Sequence, residues 1–108
     1  MDLTQKHCVP CERGVPPFSE QEIAFYLPHA PGWNAIENKK IRRDFKFKDF
    51  EEAMGFVGRV AVVAQNDGHH PDIHIFYNRV SLELWTHAIN GLSENDFIVA
   101  AKINSLTN

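Results

Sequence analysis

Histidine is the residue type in this sequence that most directly indicates chemistry. Six histidines occur, and four of them, His69, His70, His74 and His87, lie within one stretch of the chain. An unperturbed imidazole has a pKa close to neutrality, so the side chain can both donate and accept protons at physiological pH. A cluster of histidines therefore indicates acid–base catalysis or a metal site, and the alternative is a set of ordinary hydrogen-bonding surface residues.

Two alternating runs of apolar and polar residues accompany these histidines and predict a β-hairpin. The runs cover residues 72–77 and 79–87, with a tight turn between them at Asn78. A hairpin brings the start of its first strand close to the end of its second strand. We therefore expect three side chains to converge at the open end of the hairpin, namely those of His69, His70 and His87.

Neighbouring residues have structural interpretations. Pro71 keeps His70 out of the helical region and starts the first strand of the hairpin. His74 points to one strand face among apolar neighbours and is interpreted as structural or interfacial. Ser93 and Asp96 have the S-x-x-D spacing of a capping box at the start of a helix. Because capping boxes are common, the sequence favours the interpretation that Asp96 only caps the helix. In the alternative interpretation, the carboxylate of Asp96 also orients an imidazole.

The rest of the chain supplies the elements that position this hairpin. A capping box at residues 19–22 opens a first helix that ends at residues 31–32. Strands are predicted at residues 33–37 and 41–47, and Asp49 caps a second helix. The resulting order, α-β-β-α-β-β-α, predicts an α+β fold in which a four-stranded antiparallel sheet carries three helices on one face.

One strand and one helix depart from a simple amphipathic pattern. Arg43 interrupts the apolar face of the second strand. The second helix has apolar residues at helical spacing, among them Phe50, Val57 and Ala61, and Val62 broadens the apolar surface beyond one stripe. A helix that is apolar on more than one side is buried on more than one side, which in a chain this small predicts a subunit interface.

The N-terminal segment has a different character. Residues 1–18 are rich in proline and lack periodicity, so we predict an irregular arm before a domain at residues 19–108. Within the arm, Cys8 and Cys11 have C-x-x-C spacing, and His7 precedes them. A zinc site usually needs four ligands, and a redox pair needs a strand and a helix around it; neither is indicated here. We interpret the thiols as incidental to an extended arm.

Length and charge exclude several classes of protein. The chain has 108 residues and a net charge of −3 at pH 7, which fits a single domain without a domain-scale basic patch for nucleic acid. The short basic cluster at residues 39–43 is interpreted as a solvated hairpin. No segment approaches the roughly 20 apolar residues of a membrane span, and the N-terminus does not read as a secretory signal. We expect a soluble, cytoplasmic protein.

Four short segments with fixed spacing carry a resemblance to a known family. They are GHHPD at 68–72, YN at 77–78, LWTH at 84–87 and GLSEND at 91–96. In this order they are similar to the signature of the pterin-4a-carbinolamine dehydratases. The resemblance implies the same α+β fold, assembled as homodimers or homotetramers. It also implies dehydration of the 4a-hydroxytetrahydropterin that aromatic amino acid hydroxylases produce, without a metal or an organic cofactor.

The resemblance further implies a set of site residues. The active-site histidines are His69, His70 and His87. The residues that line the pterin site are Gly68, Trp85 and Thr86, and the supporting acid is Asp96. We assign proton transfer at the 4a-oxygen to His69 or His87. We assign binding and polarisation of the pterin to His70.

Other roles occur among proteins of this family. Some members act as dimerisation cofactors for a homeodomain transcription factor, and dehydratase-like assembly proteins tend to lose active-site residues. The complete set of histidines in this sequence favours the enzyme. Two departures from the family pattern affect pterin affinity: Gln65 stands where an acid is common, and Gly68 stands where some members have a polar side chain.

Overall fold

The computed structural model describes residues 1–10 and 13–107 of the chain. Its helices are α1 (Glu20–Tyr26), α2 (Phe50–Asp67) and α3 (Glu94–Ser105). Its strands are β1 (Asn34–Ile36), β2 (Lys40–Lys46), β3 (Asp72–Phe76) and β4 (Arg79–Leu84). The four strands form one antiparallel sheet in the order β1-β2-β4-β3. The α+β fold class predicted from the sequence is confirmed.

The hydrophobic core lies between the sheet and the helices. In the register of the two central strands, Ile41 lies opposite Leu84, and Phe45 lies opposite Val80, so these side chains share one face of the sheet. All four are buried. The ring of Phe45 packs on that of Phe56 from α2, with 4.7 Å between the ring centres. Burial of this face against the helices supplies the main stabilising free energy of the domain.

Arg43 lies on the helix-facing side of β2, opposite Leu82, and its contacts explain the break in the apolar pattern. Its guanidinium carbon stands 4.6 Å from the centre of the Phe45 ring, which is a cation–π contact. The same guanidinium donates a hydrogen bond to the side chain of Asn104 near the end of α3. The charge is thus accommodated beside the core, where it ties the sheet to α3.

Helix α2 begins as predicted, but its core-facing stripe differs from the prediction. The carboxylate of Asp49 accepts a hydrogen bond from the Glu52 amide at 2.9 Å and caps the helix. The buried residues of the helix are Ala53, Phe56, Val60 and Ala64. Two other residues of the predicted helical repeat, Phe50 and Ala61, are exposed in this chain and do not face the sheet. Apolar residues occur all around this helix, so their spacing alone did not identify the side that faces the sheet.

Two element ends also differ from the prediction. Helix α1 stops at Tyr26, and a 3-10 turn, Leu27–His29, continues the chain. Pro28 has no amide hydrogen to donate, so it cannot extend the α-helical ladder. Strand β3 ends at Phe76, because Tyr77 has a φ of 56° and belongs to the hairpin turn.

None of the helices within the described ranges is both long and apolar enough to traverse a lipid bilayer.

Residues 1–10 lie against the rest of the domain. Leu3 is only 2% exposed and belongs to the hydrophobic core. The ammonium of Lys6 forms an ion pair with Glu94 in the first turn of α3, with 3.0 Å between the nitrogen and the oxygen. The hydroxyl of Tyr26 donates a hydrogen bond to the same carboxylate at 2.7 Å. This part of the arm is therefore packed on the domain, a contact that its sequence pattern did not predict.

Candidate active site

A cleft of about 540 Å³ opens where α2, β4 and the N-terminal arm meet. Its lining comes from four parts of the chain: residues 8–10 of the arm, residues 67–70 at the end of α2 and just beyond it, residues 85–88 after β4, and Asn95 of α3. The structure brings six of the residues singled out from the sequence to this cleft: Gly68, His69, His70, Trp85, Thr86 and His87. Asp96 is not part of the lining and lies behind it, in contact with His69.

The carboxylate of Asp96 is fully buried and has three hydrogen-bonding partners. Its Oδ1 lies 2.6 Å from Nε2 of His69. Its Oδ2 accepts hydrogen bonds from the Ser93 amide at 3.0 Å and from the Thr86 hydroxyl at 2.9 Å. Asp96 therefore caps α3 and holds an imidazole at the same time, so the two interpretations left open by the sequence are both realised.

This arrangement defines the proton positions on His69. An ionised carboxylate can only accept hydrogen bonds, so Nε2 of His69 carries the proton that points at Asp96. The other ring nitrogen, Nδ1, is then the atom that can exchange a proton with a bound molecule. The hydrogen bond to the Asp96 carboxylate thus fixes both the tautomer and the orientation of the ring. The pair can therefore act as a proton donor or acceptor.

Gly68 places His69 at the rim of the cleft. It has a φ of 63° and a ψ of 28°, the left-handed conformation, and forms the C-cap of α2. The amide of His69 donates a hydrogen bond back to the carbonyl of Ala64 at 3.2 Å. A Cβ at Gly68 would meet no atom within 4 Å, so glycine is favoured here by the left-handed backbone conformation and not by lack of space.

His70 occupies a more exposed position in the same loop. Its Nε2 lies 3.1 Å from Oε1 of Gln65 on the last turns of α2. An amide oxygen can accept a hydrogen bond from the ring and orient it without adding a charge. Pro71, which follows, is buried at the start of the hairpin. Gln65, noted from the sequence as a departure from the family that the chain resembles, thus serves as the partner of His70.

The segment after β4 differs from the prediction, which extended the strand to His87. Strand β4 ends at Leu84, and His87 begins a 3-10 turn, His87–Ile89. The Thr86 amide donates to the Gly91 carbonyl at 2.8 Å, so the chain closes into a loop there instead of pairing with the partner strand. This loop stacks the ring of His87 on the indole of Trp85, with 3.8 Å between ring centres and 24° between planes. The stacked pair gives the cleft an aromatic surface.

Two polar residues of the cleft region were not identified from the sequence. The side chain of Asn95 is paired with Val9 of the arm, and Oδ1 of Asp67 accepts a hydrogen bond from the Cys8 amide at 3.3 Å. Lys102 of α3 lies 2.8 Å from Oδ2 of Asp67. Burial raises the pKa of Asp67, but hydrogen bonds from Lys102 and the Cys8 amide outweigh it and hold the pKa below its usual value.

The sequence carried no signal for these contacts, because they join the main chain of the arm to side chains far along the sequence. The sulfur of Cys8 lies 3.6 Å from the carbonyl oxygen of Asn95. Cys11, for which no role was predicted, lies outside the described residues. Across the described ranges, no three histidine, cysteine, aspartate or glutamate side chains are grouped as ligands for a metal ion. His74 lies on the other face of the sheet, where its Nε2 stands 3.7 Å from Oε1 of Glu83.

Comparison with known proteins adds a family to this geometry. A family model described as "Pterin 4 alpha carbinolamine dehydratase" matches residues 16–106. A protein of Nitrosospira multiformis named "Putative pterin-4-alpha-carbinolamine dehydratase" is 49% identical over 105 residues, which cover 97% of this chain and 92% of that protein. A protein of Rubrobacter xylanophilus with the same name is 42% identical, with 97% and 98% covered.

A solved structure is also similar. The crystal structure of a "transcriptional coactivator/pterin dehydratase" from Brucella melitensis superposes with a TM-score of 0.80. Its sequence is 38% identical, and the match covers 85% of this chain and 99% of that chain. The matched family region contains His69, His70, His87 and Asp96, and it excludes most of the arm.

Proposed function

This chain belongs to the pterin-4a-carbinolamine dehydratase family, and we propose that it converts a 4a-hydroxytetrahydropterin to a quinonoid dihydropterin and water. The observation that carries the proposal is the His69–Asp96 pair, which lies at a cleft that also contains His70 and His87. The volume of that cleft, about 540 Å³, falls in the usual range for small-molecule sites.

The reaction needs one proton donor and one proton acceptor. A proton must be delivered to the 4a-oxygen, the bond between C4a and that oxygen breaks, and water leaves. A ring N–H of the pterin must then lose its proton, so the reaction has no net change in protons. Two imidazoles of opposite protonation state can perform these two transfers, and general acid–base catalysis of this kind typically contributes about 100- to 10,000-fold in rate.

The geometry supports a division of roles among the histidines. Proton transfer at the 4a-oxygen falls to His69 or His87, and the carboxylate of Asp96 favours His69, because it stabilises the charged imidazole that delivers the proton. His70, held by the neutral side chain of Gln65, binds and polarises the pterin. The indole of Trp85 offers an aromatic surface to a flat ring system.

The remaining features fit a small enzyme of this family. A hydroxylase that leaves its pterin as a 4a-carbinolamine would supply the substrate. Phe50 and Val62 are 50% and 61% exposed on α2 and support assembly into a homodimer or homotetramer. A coactivator role, which is part of the description of the Brucella structure, is not our proposal, because a binding function alone has no need of a buried carboxylate paired with an imidazole.

Stopped-flow absorbance of freshly generated 4a-hydroxytetrahydropterin tests the proposal. We expect the wild-type protein to accelerate dehydration, and His70→Ala to lose about 100-fold in rate. His74→Ala is the matched control, because His74 lies on the open face of the sheet, away from the cleft, and it should keep the wild-type rate. Wild-type protein that leaves the spontaneous rate unchanged, or equal losses in the two variants, would refute the proposal.

A further inference from the structure

We infer that residues 8–10 of the N-terminal arm form a wall of the pterin-binding cleft, and that Asn95 is the positioning residue that holds this wall. The inference rests on the proposed function, since it assigns these residues to the same substrate site. The arm segment contributes three of the lining residues, Cys8, Val9 and Pro10. These residues precede the region that matches the family model, which begins at residue 16.

Asn95 is joined to Val9 of the arm by two hydrogen bonds, a contact that we call the clamp. The Val9 amide donates a hydrogen bond to Oδ1 of Asn95 at 3.1 Å, and Nδ2 of Asn95 donates to the Val9 carbonyl at 2.6 Å. One side-chain amide thus satisfies both main-chain groups of a single arm residue. Asn95 is only 5% exposed, so the two hydrogen bonds to Val9 are made in a largely water-free position, where hydrogen bonds are stronger than at the surface.

A second anchor holds the preceding residue. The Cys8 amide donates to Oδ1 of Asp67, whose side chain is 3% exposed and paired with Lys102. Further back, Leu3 is buried in the hydrophobic core. The segment that lines the cleft is therefore fixed by main-chain hydrogen bonds to two helices, α2 and α3, and by an apolar anchor.

The position of Asn95 links the arm to the histidines. Asn95 holds Val9, and the next residue, Asp96, holds His69. Both residues belong to the first turn of α3, so this turn fixes the position of the arm wall relative to the imidazole. The arm brings no ionisable group that the proposed proton transfers use. Its loss should therefore weaken pterin binding and leave the chemical step largely intact.

The first test releases the arm. Asn95→Ala, in a Cys11→Ser background, removes both hydrogen bonds to Val9, and reaction of Cys8 with DTNB then reports whether the arm has moved. Oxidised, unreactive pterin is the binding probe, and its Kd is obtained from quenching of the tryptophan fluorescence, to which Trp33 and Trp85 both contribute. We expect faster reaction of Cys8 and a Kd raised about tenfold, equivalent to about 1.4 kcal/mol. The kcat of dehydration should change by less than about twofold, and KM should rise with Kd.

The second test leaves the clamp in place and does not depend on the folding of the first variant. Val9→Phe enlarges a lining side chain that is 66% exposed, so the domain tolerates it, and it should obstruct pterin. Val15→Phe is the matched control, because Val15 is also on the arm, is 49% exposed, and does not line the cleft. We expect Val9→Phe to raise the Kd for pterin at least about fivefold and Val15→Phe to leave it unchanged.

The outcomes separate this inference from the proposed function. Three results would overturn the inference. In Asn95→Ala, Cys8 could react faster while the Kd for pterin stays unchanged, or the reactivity of Cys8 could stay unchanged. The third result is an equal effect of Val9→Phe and Val15→Phe on the Kd for pterin. A wild-type protein that binds pterin and responds to these substitutions, but does not accelerate dehydration, would refute the proposed function alone. A wild-type protein that does not bind pterin would refute both.

Discussion

Replacement of Asp96 by asparagine tests whether its carboxylate is used in catalysis as well as in helix capping. The substitution keeps the size of the side chain and one oxygen that can accept the Ser93 amide, as Oδ2 of Asp96 does at 3.0 Å. It replaces the other oxygen, 2.6 Å from Nε2 of His69, by a neutral group. With an NH2 donor at that place, Nε2 of His69 must accept, and the ring proton moves to Nδ1.

The size of the effect follows from the hydrogen bond that is lost. A hydrogen bond to a charged group contributes about 1.5–3 kcal/mol. If that energy stabilises a charged His69 in the transition state, its loss lowers the rate about 10- to 160-fold. The free energy of unfolding should fall by only about 1 kcal/mol, because the cap is retained. Asp96→Ala removes the cap as well and leaves buried donors unpaired, so it should lose about 3 kcal/mol.

Stopped-flow dehydration rates and urea unfolding, measured on the same preparations, provide the two readouts. Ser93→Ala is the matched control, because it removes the other half of the capping box and the hydroxyl contact to Thr86 but keeps the Asp96 carboxylate beside His69. It should lose about 1 kcal/mol of stability and keep the wild-type rate. Two results would show that the carboxylate acts only through the helix and that the reasoning is wrong. One is a dehydration rate for Asp96→Asn within about twofold of the wild-type rate. The other is a rate loss in Ser93→Ala as large as the loss in Asp96→Asn.

Two further substitutions test the scaffold around the site. Gly68→Ala should destabilise the protein by about 1 kcal/mol, because its φ of 63° is unfavourable for alanine. Gly58→Ala lies within α2, where an added Cβ would meet no atom within 4 Å, and it should instead stabilise the protein by about 0.5–1 kcal/mol. Urea unfolding compares the two variants, and stability changes of the same sign would contradict the argument. The hydrogen bond to Glu94, together with burial, raises the pKa of Tyr26 to about 12. Stability should therefore fall as pH rises from the unperturbed pKa of 10.0 towards 12, and this slope should disappear in Tyr26→Phe; its persistence there would show that another group is responsible.

The hairpin is the part of the site that the sequence described best. Alternating apolar residues and a tight turn determine which residues lie opposite one another, and from this the approach of residues 69–70 to 85–87 follows without further information. The dual role of Asp96 was foreseen only as an alternative. Deciding it requires the distance between two side chains 27 positions apart, His69 and Asp96, and local spacing does not contain that distance.

The arm shows why other contacts escaped prediction. The side chain of Asn95 binds the main-chain amide and carbonyl of Val9. These main-chain groups are the same in almost every residue type. No pattern of side chains at residues 8–10 could therefore reveal where this segment docks. The exposed apolar residues of α2 posed a different problem, because Phe50 and Ala61 fitted a helical repeat as well as the residues that are buried.

The first turn of α3 has a consequence for the engineering of this protein. Ser93, Thr86 and Asp96 form one hydrogen-bonded group at the start of the helix, and Asn95 of the same turn anchors the arm. Side chains that share one network are not independent, and their substitutions do not add. A library that varies these positions one at a time will therefore yield few improved variants, and it will miss combinations in which one substitution compensates for another. Randomising them together is the sounder strategy for changing the activity without losing the fold.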